Sequence, residues 1–383
     1  MAFVPVCLRR FLPALFLLLL PFLPFFPASF SSPCPRLGTI RPLALSPPLS
    51  VIAHMACTEE GVWMVDRDTS RLVLYREESG TLRQVPAKPS EVPLTDPWRV
   101  LACQGTVAVV EGENRDRIHL FRACKDAGRV RVPAEWYPVQ GFQLTPKRFF
   151  FTYCAWLGPG GERDPGGRYA TLLSSDWKGK DATVYETVEA RTAAEEAAGL
   201  WNAYASWAEW KGRGWVLART LPLRFYLFSE DGKLLERFPE KDAGALPPLP
   251  NGDKERTLEL LAMDRVIGLV PAGEYLGVVW QRRSSGQNHV EVVWLNSRWE
   301  EVGRQQAAFP KALSKWDTLA VGGVEAGRGV LFLVHEGHGF YSYTSSVYEW
   351  PFLSAVPEKK EKAGAKAAEA GGAAASVREG KKR

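Results

Sequence analysis

The chain has 383 residues, 46% of them hydrophobic and 14 of them tryptophan, with a formal net charge of +5. The charge sits at the ends: residues 1–41 carry four arginines and no acid, and residues 357–383 carry eight cationic and four acidic residues, which leaves −3 for residues 42–356. The length suits one large domain or two ordinary ones, and a mildly acidic body has no electrostatic motive for binding nucleic acid.

At the start, Arg9 and Arg10 precede the apolar run Phe11 to Leu20, and the small residues Ala28, Ser29, Ser31 and Ser32 follow. That is the pattern of an export signal over residues 1–33. A retained membrane anchor is the alternative. Pro13, Pro21, Pro24 and Pro27 interrupt the stretch, and each takes a backbone donor from a spanning helix. The expected location is therefore periplasmic or extracellular, with membrane contact only through an uncleaved N-terminal segment. Residues 34–47 read as a Pro-rich linker. Cys7 falls in the leader, and Cys34, Cys57, Cys103, Cys124 and Cys154 remain. Export permits disulfides, but five is an odd number and the pairing stays open. No CxxC spacing marks a zinc site.

From Ser50 a strand-and-turn pattern begins. Ser50 to Ala56 is an apolar run, Val62 to Val65 a second strand, and Asp66 to Ser70 a turn. Arg71 to Tyr75 makes a third strand, Glu78-Ser79-Gly80 a tight hairpin, and Thr81 to Val85 a fourth strand. The unit returns from Trp98, from Gly141, from Ala203, from Val266 and from Asp317, giving six in all. The second strands are expected to begin near Gly61, Gly105, Lys147, Gly214, Tyr275 and Gly329. Stretches such as FFFTYCAW, LGVVW and GVLFLV are continuously apolar, as a strand covered on both faces must be. RIHLF and HVEVVW mix polar with apolar residues, as expected for a third strand further out. Repeats of roughly this length suit the blades of a propeller with insertions.

Thr192 and Glu195 form a capping box ahead of AAEEAAGLWNAYA, which predicts a short helical insertion between the third and fourth units. Trp201, Tyr204, Trp207 and Trp210 recur every three residues; packing against the sheets is preferred to a sugar or peptide platform. The segment 247–264 reads as a second insertion ending in a helical turn. Residues 354–383 hold almost no large apolar side chain and read as a disordered, basic Ala/Lys-rich tail.

VVEGENRDRIHLF (109–121) and GVWMVDRDTSRLVLY (61–75) each run strand, Asn/Asp-rich turn with Arg, and strand ending in an aromatic. In this the chain resembles the six-bladed β-propeller superfamily, in particular its NHL-type and TolB-like branch, over residues 48–353. The resemblance implies an all-β ring of six four-stranded antiparallel blades. A WD40 signature and a regular YWTD repeat are both missing. A β-sandwich pair, or a seven-bladed ring that recruits residues 37–49, is the rival architecture.

In such a blade the turn between the second and third strands emerges on the same face as the connection between blades. The resemblance makes that face the binding surface and collects there Asp66, Arg67, Asp68, Glu113, Asn114, Arg115, Arg219, Arg282, Arg283, His335 and His338. His335-Glu336-Gly337-His338 lacks the HExxH spacing of a helical zinc site. Lactone and organophosphate hydrolases on such rings hold a divalent cation in the central channel, and Asp96, Asn202, Asp264 and Asp317 precede inner strands here. No Gly-x-Ser-x-Gly marks a serine nucleophile, and the Gly-rich stretch 158–167 lacks the features of a phosphate loop. The preferred reading is an exported, non-enzymatic binding or scaffold protein of a bacterial envelope, without a cofactor, recognising a protein, peptide or glycan. The alternative is a metal-assisted lactonase or esterase using calcium or zinc.

Overall fold

The structure, a computed structural model, describes residues 34–353 apart from 87–92, 114, 134–140, 155–167, 190–205, 222, 240–254, 256–258, 261, 284–288, 315–316, 326–328 and 338–342. A lone strand, β1 (Arg41–Ser46), comes first. A meander follows: β2 (Ile52–Thr58), β3 (Gly61–Asp66), β4 (Arg71–Glu78) and β5 (Thr81–Val85). The next comprises β6 (Pro97–Cys103), β7 (Thr106–Glu111), β8 (Arg117–Arg122) and β9 (Lys125–Arg131). Then come β10 (Gly141–Leu144), β11 (Arg148–Cys154), β12 (Arg168–Asp176) and β13 (Thr183–Glu189). The fourth holds β14 (Ser206–Trp210), β15 (Gly214–Arg219), β16 (Arg224–Phe228) and β17 (Leu234–Phe238). The fifth holds β18 (Arg265–Ala272), β19 (Tyr275–Arg282), β20 (His289–Leu295) and β21 (Glu301–Ala308). The last has three strands, β22 (Thr318–Glu325), β23 (Gly329–Gly337) and β24 (Tyr343–Pro351). The fold is a β-propeller of repeated antiparallel sheets, with almost no helix among the described residues.

All six second strands begin within a residue of the expected positions. Their burial explains why. Every residue of β3 and β7 is buried, and β11 places Phe149, Phe150 and Phe151 fully inside. A two-layer packing leaves no solvent side for such a strand, so its sequence cannot alternate. The third strands are nearly as deep as the second: β16 is buried throughout, as is β20 beyond its first residue. In RIHLF and HVEVVW the polar His119 and Glu291 are interior groups, whereas β4, β8 and β24 keep exposed residues toward their ends. Glu291 is 1% exposed and lies 2.8 Å from Nη1 of Arg304. The fourth strands are the most open, as in β9, which is mostly exposed, and in β21 (GluValGlyArgGlnGlnAlaAla), where exposed and half-buried residues take turns.

The first strands stand side by side around an axis. β2 packs against β6 and β22, β6 against β10, β18 against β14 and β22. Phe150, Trp207 and Phe228 bring the third meander onto the fourth, with Phe150 ring centroids 5.0 Å from Trp207 and 4.9 Å from Phe228. Near the axis the spacing is tight. A Cβ on Gly268 would lie 2.2 Å from the Cβ of Val321 on β22, so only glycine lets these two backbones approach. At Ser79-Gly80 both residues have positive φ, 53° and 84°, which is the two-residue hairpin expected between β4 and β5.

β1 lies inside the segment that the sequence reads as linker. It pairs antiparallel with β24, Arg41 opposite Glu349, and parallel with β5, Ala44 opposite Thr81. The first and last meanders thereby become one eight-stranded sheet. Arg41 Nε and Nη2 donate to the buried Glu349 carboxylate at 2.9 and 2.7 Å, and Trp350 Nε1 donates to the Gly38 carbonyl at 2.8 Å. The helix expected after Thr192 falls in 190–205, outside the described residues, as do Trp201 and Tyr204. Trp207 and Trp210 lie on β14, so the step of three does not continue as a helix there. Helical residues do occur at Glu255, Glu259, Leu260 and Ala262, where the second insertion ends. Cys34, Cys103 and Cys124 are free thiols; burial, with the charges of Glu209 and Glu230, pushes Cys103 up to about 12.

Removal of residues 1–46 takes away β1 together with the buried Leu37, Ile40 and Leu43, at roughly 1.5–3 kcal/mol of burial each. The truncated protein is expected to melt at least about 10 °C lower or to self-associate through the bared edges of β5 and β24. Circular dichroism melting and size-exclusion chromatography read both; an unchanged melting temperature would show that β1 does not close the structure.

Candidate functional site

The first strands enclose an axial cavity of about 1190 Å3. Its two ends differ. Where the first strands begin, the lining includes Arg67, Arg99, Arg265, His54 and His335, together with Trp98, Trp207 and Tyr343, and no carboxylate among the described residues. Where they end, it includes Glu59, Glu60 and Glu209. The first of these ends is the face on which the turns between second and third strands emerge.

Local irregularities in the strands aim these side chains. The pairing of β2 with β3 shifts register between Ile52 and His54, and that of β6 with β7 shifts between Pro97 and Arg99. A bulge kinks its strand and redirects the next side chain. His54 and Arg99 therefore occupy equivalent places in two successive meanders, opposite Val65 and Val110.

His335 Nε2 donates to the Ile52 carbonyl at 2.7 Å, and its Nδ1 lies 3.3 Å from the Thr318 hydroxyl. Nε2 therefore carries a proton, and in the neutral ring Nδ1 is the acceptor. Its ring centroid is 4.7 Å from that of Tyr343. The His54 ring hydrogen-bonds the backbone at Val100, while its Nδ1 is hidden from solvent without a hydrogen-bond partner. Burial, then the charges of Arg99 and His335, hold His54 well below the ordinary value of 6.5. Burial likewise lowers His335, against the hydrogen bond to Ile52. Both shifts favour the uncharged ring.

The residues chosen from sequence divide into those the fold gathers at this mouth and those it spends elsewhere. Arg67 and His335 line the mouth, and Arg67 Nη1 reaches the Tyr343 hydroxyl at 3.4 Å. Arg115 stacks its guanidinium 3.7 Å above the Trp98 ring. Arg283 donates through Nη2 to the Asp317 carbonyl at 2.7 Å. Asp66 closes its own turn, accepting from the Asp68 amide at 3.1 Å and from the Thr69 hydroxyl; Asp68 accepts from Ser50. Arg219 is buried and pairs with Glu186 of the third meander. Arg282 bridges Asp264 at 3.2 Å and Glu291. Glu113 is exposed in its turn. Asn114 and His338 lie outside the described residues. Sequence reading missed His54, Arg99, Arg265, Trp98 and Tyr343. The available signal was a basic residue at the same place in two otherwise apolar runs, VIAHMAC and WRVLAC.

The carboxylates expected to hold a cation are engaged elsewhere. Asp264 accepts from the Arg283 amide at 2.7 Å and from Arg282. Asp317 accepts from the amides of Ser314 and Gly337. Asp96 is exposed, and Asn202 lies outside the described residues. Among the described residues no three His, Cys, Asp or Glu side chains converge as a metal site would require.

The sequence matches no protein-family model and no curated protein sequence. Solved structures similar to it include a member of the DUF4221 family from Bacteroides vulgatus, at 9% identity over 82% of this chain and 97% of that one, with a TM-score of 0.48. Virginiamycin B lyase from Staphylococcus aureus, solved as a catalytically inactive variant with quinupristin, shares 10% identity over 82% of this chain and 99% of its own, with a TM-score of 0.42. A candidate gluconolactonase shares 15% identity over 82% and 94%, also at 0.42. At these identities the likeness is one of general fold, and the assignment of a β-propeller rests on the strand topology.

A histidine held low in the folded state binds fewer protons than in the unfolded chain once the pH drops below about 6.5. The stability tied to His54 and His335 is therefore fully present above that pH and is lost as the pH falls toward their folded values. The melting temperature is expected to fall between pH 7 and 5, and less steeply in His54→Gln with His335→Gln. Scanning calorimetry checks this; equal slopes would assign the acid sensitivity to other groups.

Proposed function

We propose that the chain is a six-bladed ring, closed by β1 as the outer strand of the last blade, that acts as an exported binding or scaffold protein. It recognises a protein, peptide or glycan partner at the mouth of the axial channel. One observation carries this reading: a cavity of about 1190 Å3 opens on the face where the turns gather, lined there by basic and aromatic side chains from successive meanders. Such a surface can grip a partner through stacking and charge-assisted hydrogen bonds. The metal-assisted hydrolase reading needs convergent carboxylates, and Asp264 and Asp317 are bonded to Arg282, Arg283 and backbone amides instead.

Trp98 and Trp207 line the mouth, so binding there is expected to change tryptophan fluorescence. Titration with panels of peptides and oligosaccharides should give a saturable change that Trp98→Phe with Trp207→Phe removes. Stoichiometric calcium or zinc in the purified protein, with lactone or ester turnover lost to a chelator, would replace this reading with the hydrolase. Export is tested by sequencing the N-terminus of the protein made in cells. Cleavage close to Ala28–Ser32 is expected; an intact residue 1 in a protein that resists release from membranes by salt would show an anchor.

A further inference from the structure

The described chain begins and ends at one place. The Leu353 amide donates to the Arg36 carbonyl at 2.8 Å, the Gly38 amide donates to the Pro351 carbonyl at 2.8 Å, and Leu37 bridges Phe352. The Leu37 amide also donates to the Gln305 side chain on β21 at 3.1 Å. Cys34 rests on Gly303 of that strand, its Sγ 2.8 Å from where a Cβ would stand. β24 starts beside the mouth at Tyr343 and runs away from it to Pro351. The junction therefore lies on the face opposite the mouth, and residues 1–33 and 354–383 both join the body there.

Large apolar side chains are exposed at few described positions, and these are not scattered. Val302, 42% exposed, and Leu353, 55% exposed, flank the junction. Val184 and Leu235 repeat the place of Val302 in the third and fourth meanders. Each is the second residue of its fourth strand, β13, β17 or β21, where that strand sets out from the face opposite the mouth. Phe238 is also exposed, but lies flat against Trp299 with ring centroids 5.5 Å apart. The register of each of these fourth strands shifts beside its exposed aliphatic residue. A bulge of this kind bends an edge strand and disfavours pairing with an added strand, so the aliphatic rim suits a surface that needs no backbone register. The acids nearest the junction are held by cations: Glu300 by Arg298 at 2.9 Å, Glu301 by Arg304 at 2.8 Å and Glu349 by Arg41 at 2.7 Å. Arg36 is exposed, and residues 354–383 add eight cationic side chains against four acidic ones.

We propose that the rim made by residues 34–38, Val302 and Leu353 seats on an anionic lipid bilayer, with the aliphatic side chains entering the interface and the cations of residues 354–383 lying on the charged headgroups. One weak apolar contact or one basic segment holds a protein only marginally, and the two together supply a stable address. Glu59, Glu60 and Glu209 stand at the axis on the same face. They oppose a flat approach to negative charge, so the molecule leans on the rim of its last two meanders. The mouth is left facing the solution. This contact is separate from the mouth and needs no membrane-spanning anchor.

The test is flotation of the full chain, as processed in cells, with vesicles of phosphatidylcholine alone or mixed with phosphatidylglycerol. A mixture with about a third phosphatidylglycerol is expected to bind about tenfold or more tighter than phosphatidylcholine alone. That binding should fall about tenfold or more between about 0.05 and 0.5 M sodium chloride. Removal of residues 354–383 is expected to abolish the preference for the anionic vesicles. Val302→Thr with Leu353→Gln leaves every charge in place and should weaken binding about threefold with the salt dependence kept. Circular dichroism melting establishes that both variants fold. Hydrogen exchange on anionic vesicles is expected to slow at residues 35–38 and 301–304 and to stay unchanged in the turn at 66–70. No binding to anionic vesicles at low salt overturns the proposal, as does an anionic preference that survives removal of 354–383. Protection at 66–70 in place of the rim overturns it too. Equal, salt-resistant binding to both vesicle types would show that the N-terminal segment alone holds the protein. Retention on heparin without vesicle binding would assign the basic residues to a polyanion other than lipid; either result overturns the proposal.

Discussion

β1 is paired along both edges, with the last meander on one side and the first on the other. The rest of the molecule depends on that. A four-stranded sheet with apolar residues on both faces cannot shield them alone, and each sheet here is covered by the next around the axis. Such an arrangement has two ends unless something joins them. The join also reaches the candidate site. The Ser345 amide donates to the Ser50 carbonyl at 3.0 Å, the Ile52 amide to the Ser345 hydroxyl at 3.0 Å, and His335 to the Ile52 carbonyl at 2.7 Å. These bonds cross the same seam that β1 closes. The position of His335 relative to His54 is thus a consequence of how the two ends of the chain meet.

The second organising feature is the treatment of buried acids. Glu111 lies 3.2 Å from Arg129, Glu291 2.8 Å from Arg304, Glu349 2.7 Å from Arg41, and Glu186 pairs with Arg219. Pairs of this kind add little net stability, because desolvation consumes most of the attraction, but removing one partner is costly. Their effect on function is indirect. They commit these charged groups to one another. Arg219 and Arg282 look like binding residues in the sequence because they sit at strand ends beside turns. In three dimensions they pair with the half-buried Glu186 and the interior Glu291.

The second strands were legible in the sequence because a strand covered on both sides must be apolar at every position, and FFF at 149–151 or GVLFLV at 329–334 allows little else. β1 was hidden because Pro42, Pro47 and Pro48 resemble a linker. Proline is excluded from a strand only where its missing donor is needed, and Pro42 sits opposite Tyr348 without ending the strand. The spacing of Trp207 and Trp210 suits a helix turn, but on β14 residues three apart face opposite sides, and the two pack against Phe150 and against Trp299. His335 was visible as a polar residue in a turn-like HEGH. His54 and Arg99 were signalled only by a basic residue at the same place in two apolar runs, which carries no sign of which way a bulge will turn it.

The polarity of the channel narrows what its mouth can hold. With arginine at one end and Glu59, Glu60 and Glu209 at the other, the field inside a cavity with low-dielectric walls is directed along the axis. An anion arriving at the mouth meets favourable potential there and unfavourable potential deeper in. A cation meets the reverse. On the proposed reading, an acidic group of the partner is retained near the rim, beside the bulges of β2 and β6. A ligand too large to enter the channel can still place one acidic group in the mouth while the rest of it lies across the surrounding turns, which is how a narrow site comes to serve a broad face.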